Sequence, residues 1–282
     1  MNLRNKFRWK RVLYEDQSVP DNYVDDSFLK SRKTSAQTYH FQTLFVSSLA
    51  ILQQLCVVCC FVLVWFHMRE GNLTPMVVLT MCISVTLVCC FVFTMYSNEQ
   101  KYIRFFIITD GLKTALLLLI YTGLASPILQ TLTHTISTDT LYTMTSMMLL
   151  GHLIFHDYGS SGILVSQSVS LNMAIFAAVC LSSRFETAFH TFATIMMALQ
   201  LFGLWPMVRR RIAAKNQVVL PVITFVLFMI IVAVLVHYSV VCAVAFGCIG
   251  LLINFIFPFI LVKLQPQKDN IYGPWDEAVL SE

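Results

Sequence analysis

The chain has 282 residues, of which 57% are hydrophobic and only 12% are charged. A soluble domain carries about 25% charged residues, so this composition, with a mean hydropathy of +0.72, excludes an ordinary soluble protein and indicates a polytopic membrane protein. The net charge is +4, and the basic residues lie in a few short segments, which indicates membrane orientation and not nucleic-acid binding.

Residues 1–42 form a basic and aromatic arm that we predict to be cytosolic. Eight Lys and Arg residues lie in it, with Trp9, Tyr14 and Tyr23 between them. Such an arm can lie on an anionic leaflet, dock on a partner, or be a solvated tail that only sets topology. The arm lacks the short apolar core of a cleavable signal, so the first apolar run is expected to be retained as a span.

Eight apolar runs follow, and each is close to the length that crosses a hydrocarbon core of about 30 Å. Sixteen of the 19 Lys and Arg residues lie on one side of the resulting arrangement, which predicts that both termini are cytosolic. The predicted fold is all-α, with about eight transmembrane helices in residues 43–262 and a cytosolic tail in residues 263–282. The runs lie at about residues 43–66, 76–96, 103–122, 141–157, 162–182, 188–208, 218–236 and 239–262.

The segment 123–140, between the third and fourth runs, is predicted to be the longest loop on the lumenal side. It contains Pro127 and has no charge before Asp139. Thr138, Asp139 and Thr140 are each candidates to cap the amino end of the fourth helix.

The stretch 138–184 has the most unusual chemistry, because polar residues lie inside apolar runs that flank a short polar turn. A polar side chain within the membrane is costly and needs a partner, so this hairpin is expected to be buried in a bundle or a complex. Asn172, about midway along the fifth run, is interpreted as a hydrogen-bonding contact between helices.

Asp110 and Lys113 are spaced i, i+3 near one end of the third run and so share a helix face. They are either a structural ion pair or a site where Lys113 meets an anionic lipid phosphate.

His152 and His156 are spaced i, i+4, and Asp157 follows directly. Zinc sites use this spacing, but a third and a fourth ligand are missing, so we predict no metal and no cofactor. The alternatives are a polar contact to neighbouring helices or a lipid headgroup, and plain interfacial histidines.

The tail contains a Gly-Pro turn followed by Trp275, Asp276 and Glu277. A short exposed tail rarely keeps such a group without a reason, so a partner-docking motif is favoured over a free tail. Nucleophile-elbow, zinc-protease and phosphate-loop motifs are absent from the sequence, and the loops are too short for a nucleotide-binding domain. We therefore expect that the chain is not an enzyme on its own.

Several stretches resemble the PIG-C family, the C subunit of phosphatidylinositol N-acetylglucosaminyltransferase, and the resemblance runs nearly end to end. The stretches that carry it are 9–15 (WKRVLYE), 20–25 (PDNYVD), 53–56 (QQLC), 126–133 (SPILQTLT), 137–140 (STDT), 150–155 (LGHLIF), 157–159 (DYG), 170–177 (SLNMAIFA) and 273–278 (GPWDEA).

The resemblance implies a multi-pass subunit in the endoplasmic reticulum membrane. Its complex starts glycosylphosphatidylinositol (GPI) anchor synthesis by passing N-acetylglucosamine from UDP-N-acetylglucosamine to phosphatidylinositol, and a separate A subunit holds the glycosyltransferase fold. The chain would then be a non-catalytic scaffold, with other subunits as partners and phosphatidylinositol as a lipid ligand.

In such a subunit, Lys113 with Arg104 would face the lipid phosphate, while Asp157 and Tyr158 would bond inositol hydroxyls. Asp110 and His152 complete the predicted lipid-binding set, and Trp9 joins the tail residues as a docking candidate. Two alternatives stay open. A secondary transporter is motivated by the intramembrane polar residues, and an intramembrane hydrolase would use His152, His156 and Asp157 with a metal.

Overall fold

The computed structural model describes residues 33–35, 39–96, 101–158, 166–215, 219–265 and 269–271. Helices account for almost all of them, as the composition predicts. The α-helices are α1 Phe41–Arg69, α2 Pro75–Tyr96, α3 Lys101–Leu132, α4 Thr138–Phe155, α5 Gln167–Ser182, α6 Ala188–Ala198, α7 Trp205–Lys215, α8 Val219–Tyr238, α9 Val240–Leu251 and α10 Phe257–Leu264. π-Helical turns, Leu199–Leu204 and Leu252–Ile256, join α6 to α7 and α9 to α10.

The chain divides into two compact units. The first combines Met1–Leu44 with Phe257–Glu282, and the second is Phe45–Ile256. In the first unit, strand β1 (Lys33–Ser35) pairs antiparallel with β2 (Asp269–Ile271), Thr34 lying opposite Asn270.

Helix α1 lies at the centre of the second unit. Its Val57, Val58, Phe61, Trp65 and Met68 join one apolar core with residues of α4, α5 and α6. Leu52 and Cys56 join another core with Ile231 of α8 and Phe246 of α9. Because α1 is packed on both sides, its polar residues Ser48, Gln53 and Gln54 are buried inside the protein.

Short polar caps begin the helices around this core. Ser137, Ser166, Thr187 and Ser239 precede α4, α5, α6 and α9, and each side-chain oxygen accepts from a backbone N–H three residues later. Each of these residues is therefore an N-cap, which satisfies a backbone N–H that has no partner within the first helical turn. The predicted caps Thr138, Asp139 and Thr140 are therefore wrong, since the N-cap of α4 is Ser137.

The prediction of a long loop over residues 123–140 is also wrong, because α3 continues through Pro127 to Leu132. A proline has no N–H and leaves the carbonyl four residues earlier without its helical donor. Here the Ser126 hydroxyl donates to the Gly123 carbonyl at 3.1 Å. The helix therefore passes the proline with that oxygen satisfied.

Five helices of the described chain are long and apolar enough to cross a membrane: Phe41–Arg69, Gly111–Leu132, Ala188–Ala213, Val219–Tyr238 and Val240–Leu264. Pro75–Phe91 and Gln167–Ser182 are apolar but shorter. The chain is a polytopic helical membrane protein, while the count of eight spans and the cytosolic termini stay predictions.

Candidate functional site

A buried hydrogen-bond network joins α1, α4 and α5 through His152, which is 1% exposed. Its Nε2 lies 2.7 Å from the side-chain nitrogen of Gln54 on α1. Its Nδ1 lies 2.9 Å from the carbonyl oxygen of Ser170 and 2.8 Å from the Ser170 hydroxyl, both on α5. One imidazole therefore links three helices.

The partners of His152 define its protonation. The amide nitrogen of Gln54 only donates, so Nε2 accepts and Nδ1 carries the proton that is donated to Ser170. The Ser170 hydroxyl in turn donates to the backbone carbonyl of His152 at 3.0 Å. A neutral imidazole satisfies both ring nitrogens, which removes the cost of a charge among the apolar helices.

The fit of α4 against α5 depends on Gly151. A Cβ added there would lie 2.5 Å from the Met173 sulfur, closer than side-chain atoms approach. The missing side chain lets the helices approach, and the next residue, His152, reaches Ser170. Ring contacts also hold the imidazole, with Phe202 at a centroid distance of 4.8 Å and His156 at 5.3 Å.

Past the end of α4 the network becomes charged. Arg209 of α7 is 5% exposed, and its guanidinium donates to the Asp157 carbonyl at 3.2 Å and to the Ala50 carbonyl of α1 at 3.5 Å. The neighbouring Arg210 forms an ion pair with the Asp157 carboxylate at 2.8 Å, and the two side chains are 43% and 24% exposed. Arg209 therefore ties α7 to α1 and to the turn after α4.

Tyr158 lies in the same turn and is half-buried. Its hydroxyl donates to the Leu153 carbonyl at 2.7 Å, and its ring packs edge-on against His156. Burial raises the pKa of the phenol to about 12, although the nearby Arg209 opposes the shift. The phenol is therefore a neutral group at physiological pH.

Some buried polar atoms in this region have no hydrogen-bond partner within the described part of the chain. They include Nε2 of Gln53, Oε1 of Gln54, Oγ1 of Thr145 and Nε2 of His156. An unpaired buried donor or acceptor costs about 1–3 kcal/mol. The site therefore retains hydrogen-bonding capacity that the protein atoms described here do not use.

A second polar cluster lies at the carboxyl-terminal end of α1. The Trp65 indole donates to the Leu181 carbonyl at 2.9 Å, and Arg69 bonds the Tyr142 hydroxyl and stacks on both aromatic rings. Arg184 donates to the Ile136 carbonyl at 2.5 Å. Such bonds fix the short turns between helices, so this cluster explains structure without suggesting chemistry.

The structure brings some of the predicted site residues together. His152, Asp157 and Tyr158 lie in one cluster, and His152 is engaged inside the protein. Lys113 is exposed on α3. The backbone of Arg104 and Asp110 belongs to α3, but their side chains are not described. The predicted docking residues Trp9, Trp275, Asp276 and Glu277 lie outside the described residues.

Asn172 lies on α5 with an exposed side chain. The expected contact with another helix of this chain is not present among the described residues. The same part of the chain holds no group of three or more His, Cys, Asp and Glu residues that could bind a metal ion.

The site also contains four residues that were not predicted from the sequence: Gln53, Gln54, Ser170 and Arg209. A signal for the glutamines was present, because two adjacent amides inside a long apolar run need buried partners. For Arg209 the signal was hidden, since three successive arginines at a helix end are typical of a topology marker.

These features define a multi-pass helical membrane protein whose helices are tied together by a buried polar network. The sequence profile of the GPI2 family, described as phosphatidylinositol N-acetylglucosaminyltransferase, matches residues 9–276. The chain therefore belongs to this family, as its resemblance predicts.

The relatives carry the same designation. The C subunit of phosphatidylinositol N-acetylglucosaminyltransferase from Homo sapiens is 40% identical over 98% of this chain and 94% of that protein. Its counterpart from Bos taurus is also 40% identical, with the same coverage. The GPI2 subunit from Schizosaccharomyces pombe is 30% identical over 96% of this chain and 86% of that protein. No solved structure matches the chain.

Proposed function

We propose that the chain is the C subunit of the complex that transfers N-acetylglucosamine from UDP-N-acetylglucosamine to phosphatidylinositol, the first step of GPI-anchor biosynthesis. The observation that carries this proposal is family membership over residues 9–276, together with relatives that are covered over nearly their whole length. The complex resides in the endoplasmic reticulum membrane, and its A subunit supplies the glycosyltransferase fold.

Within that complex the chain is a non-catalytic scaffold. Its helices are joined by short turns, and its buried polar groups bond to one another: His152 to Gln54 and Ser170, and Arg209 to backbone carbonyls. Bonds of this kind fix the positions of the helices. A subunit with fixed helices is suited to hold other subunits at the membrane.

A second role is the presentation of the lipid acceptor. Lys113 and Arg104 on α3 provide positive charge for the lipid phosphate, and Asp110 on the same helix completes the proposed lipid-binding set. Asp157 and Tyr158 serve as hydrogen-bond acceptors for inositol hydroxyls, since the Asp157 carboxylate is partly exposed and the Tyr158 oxygen has lone pairs besides its bond to Leu153. His152, at 1% exposure, holds α4 in position and has no surface to offer to lipid.

The function is tested by measuring transfer of radiolabelled N-acetylglucosamine to phosphatidylinositol in microsomes from cells that lack this chain, before and after it is restored. Loss and rescue are expected. Unchanged transfer in its absence would overturn the proposal. The scaffold role is tested on the purified chain, which should transfer no sugar alone and gain activity only when the other subunits are added.

The lipid role is tested with the double variant Asp157→Ala and Tyr158→Phe in the intact complex. It should raise the KM for phosphatidylinositol while all subunits still co-purify. Arg210→Ala is the matched control, because it breaks the same ion pair but keeps the carboxylate. If the control reduces transfer as much as the double variant does, the ion pair matters and the carboxylate does not bind the acceptor.

Charge reversal at Lys113 tests the other end of the lipid contact. Lys113→Glu should weaken transfer at low phosphatidylinositol, whereas Lys263→Glu, at another exposed lysine near a helix end, should leave it unchanged. Normal transfer by a correctly folded Lys113→Glu variant would count against a phosphate contact at this residue.

The docking motifs belong to the same proposal. Trp9 in the arm and Trp275, Asp276 and Glu277 in the tail are proposed to bind other subunits on the cytosolic side. Deletion of residues 273–278 should release at least one partner on purification without reducing the amount of chain in the membrane. If every partner stays bound, the tail is not a docking motif.

A further inference from the structure

Asn172 differs from every other amide side chain that lies well inside a helix of the described chain. Five such amides lie more than one turn from the ends of a continuous helical segment: Gln53, Gln54, Asn172, Gln200 and Asn254. The other four are buried or half-buried, and only Asn172 is exposed. It lies six residues into α5, an apolar helix of 16 residues.

The buried asparagine shows what such a side chain needs. Asn254, at 4% exposure, donates to the Gly250 carbonyl at 2.9 Å and accepts from the Ser48 hydroxyl at 3.1 Å. Asn172 makes no hydrogen bond of either kind within the part of the chain that the structure describes. An amide in hydrocarbon without a partner is costly, since the lipid tails offer neither a donor nor an acceptor.

Exposed hydroxyls on other helices do not raise the same problem. Ser84 on α2 donates to the Thr80 carbonyl at 2.8 Å, and Thr143 on α4 donates to the Asp139 carbonyl at 2.9 Å. Each is satisfied by its own helix, so it can face lipid. The amide of Asn172 has two donors and an acceptor, and the described residues provide no partner for any of them.

Asn172 lies on the outer face of the hairpin that α4 and α5 form. Gly151 of α4 lies against Met173 of α5, so the residues beside them, Leu150 and Asn172, lie at the same level on the outer face of the hairpin. The large apolar side chains exposed on the two helices are Met147 (65%), Leu150 (58%), Ile154 (67%), Val169 (40%) and Phe176 (38%). Exposed polar residues of α4 include Thr143 and Ser146, whose hydroxyls donate to carbonyls of their own helix.

We propose that the outer face of the α4–α5 hairpin binds a transmembrane helix of another subunit, which supplies a hydrogen-bonding side chain to Asn172. The inference rests on the proposed function, because a subunit has partner chains in the same membrane. Lipid is the wrong occupant, since its tails leave the amide unpaired. The apolar residues on either side of Asn172 supply packing, and the amide fixes the depth at which the partner helix sits.

The first test places the photoreactive residue p-benzoylphenylalanine at position 172, and separately at position 150, in the full chain within cells that carry the whole complex. The complex is irradiated and purified, and each adduct is identified by mass spectrometry. An adduct between either position and a transmembrane segment of a different subunit is expected. Position 117, a residue of α3 that is 67% exposed, sets the background.

The second test uses Asn172→Leu with Asn172→Gln as the conservative variant. Loss of one hydrogen bond between membrane helices should weaken the association of the two helices by about three- to eighteen-fold. Retention of the cross-linked subunit should therefore fall by this factor in Asn172→Leu and recover in Asn172→Gln. Ser84→Leu, a polar-to-apolar change at another exposed position, should have no effect.

The thermal stability of the purified chain separates docking from folding. Asn172→Leu should leave that stability unchanged or higher, because it removes an unpaired amide from an apolar surface. A fall in the chain's own stability that matches the fall in partner retention would overturn the inference. So would adducts with lipid only, or with a second copy of this chain.

Failure of the inference is distinguishable from failure of the proposed function. If microsomes without the chain lose sugar transfer and the complex assembles, but position 172 gives no adduct with another subunit, the docking face alone is wrong. If the chain is dispensable for transfer and purifies without partners, both are wrong.

Discussion

The bond between Gln54 and His152 gives the sharpest test of the buried network. Leucine is close in volume to either side chain, so His152→Leu removes polar contacts without leaving a large cavity. It leaves the Gln54 amide unpaired at both ends, because Oε1 of Gln54 already has no partner among the described residues. An orphaned buried amide costs about 1–3 kcal/mol, and Gln54→Leu should cost a similar amount by orphaning the His152 Nε2.

The double variant should not add these two costs. Replacing both partners of a buried hydrogen bond by apolar groups is nearly neutral compared with removing one of them. The coupling energy between the two positions should be about 0.6–1.7 kcal/mol, the range found for hydrogen bonds between membrane helices. The double variant is thus expected to be destabilised by less than the sum of the two single costs, and the difference is this coupling energy.

The assay is equilibrium unfolding of the full chain in bicelles, with each single and the double variant measured under the same conditions. Gln53→Leu is the matched control, since Gln53 is also 1% exposed and its Nε2 has no partner in the described chain. Gln53→Leu should be neutral or stabilising, and its effect should add to that of His152→Leu within about 0.5 kcal/mol. Zero coupling between Gln54 and His152, or equal coupling for Gln53, would refute the reasoning.

Three further predictions use the same unfolding measurement. Gly250→Ala should destabilise the chain by about 1–3 kcal/mol because the added Cβ would lie 2.8 Å from a packed phenylalanine ring. The control Gly247→Ala, whose Cβ would have nothing within 4 Å, should be neutral or stabilising. Equal effects of the two variants would contradict the packing. Ser126→Ala should cost about 1 kcal/mol by uncovering the carbonyl below Pro127, and an unchanged stability would mean that another group satisfies that oxygen. Arg209→Leu should lower the free energy of unfolding by about 2 kcal/mol, because this guanidinium is buried and bonds two backbone carbonyls. Arg210→Leu should lower it by less than about 1 kcal/mol, because the ion pair of Arg210 is half-exposed. The reverse order would contradict a role of Arg209 in joining the helices.

The helices could be predicted from the sequence because the length of an apolar run is set by the thickness of the hydrocarbon core. Their starts were less predictable, as Ser137 shows, because neighbouring Ser, Thr and Asp residues compete for the same cap position. The loop predicted around Pro127 was wrong because a membrane helix tolerates a proline when another group satisfies the freed carbonyl, and Ser126 satisfies it here.

The candidate site was harder to predict than the fold. His152, Asp157 and Tyr158 stood out as polar residues inside or beside an apolar run. Their partner Gln54 lies 98 residues from His152 along the chain, and a contact at such a distance leaves no local signal. In a membrane helix, the faces toward lipid and toward the core are both apolar, so periodicity does not reveal which residues are buried.

The long sequence separations in the buried network also determine the order in which this protein matures during its synthesis. Helix α1 is the first of the described helices to be synthesised. Its hydrogen bonds form only after their partners are made: Gln54 with His152, Trp65 with Leu181, 116 residues later, and Ser48 with Asn254, 206 residues later. At a translation rate of roughly 5–20 residues per second, the Gln54 amide has no His152 to bind for about 5–20 s. Of the described helices, the central one is thus the first to be synthesised and among the last to be completed, and its polar groups remain unpaired while the later helices are made.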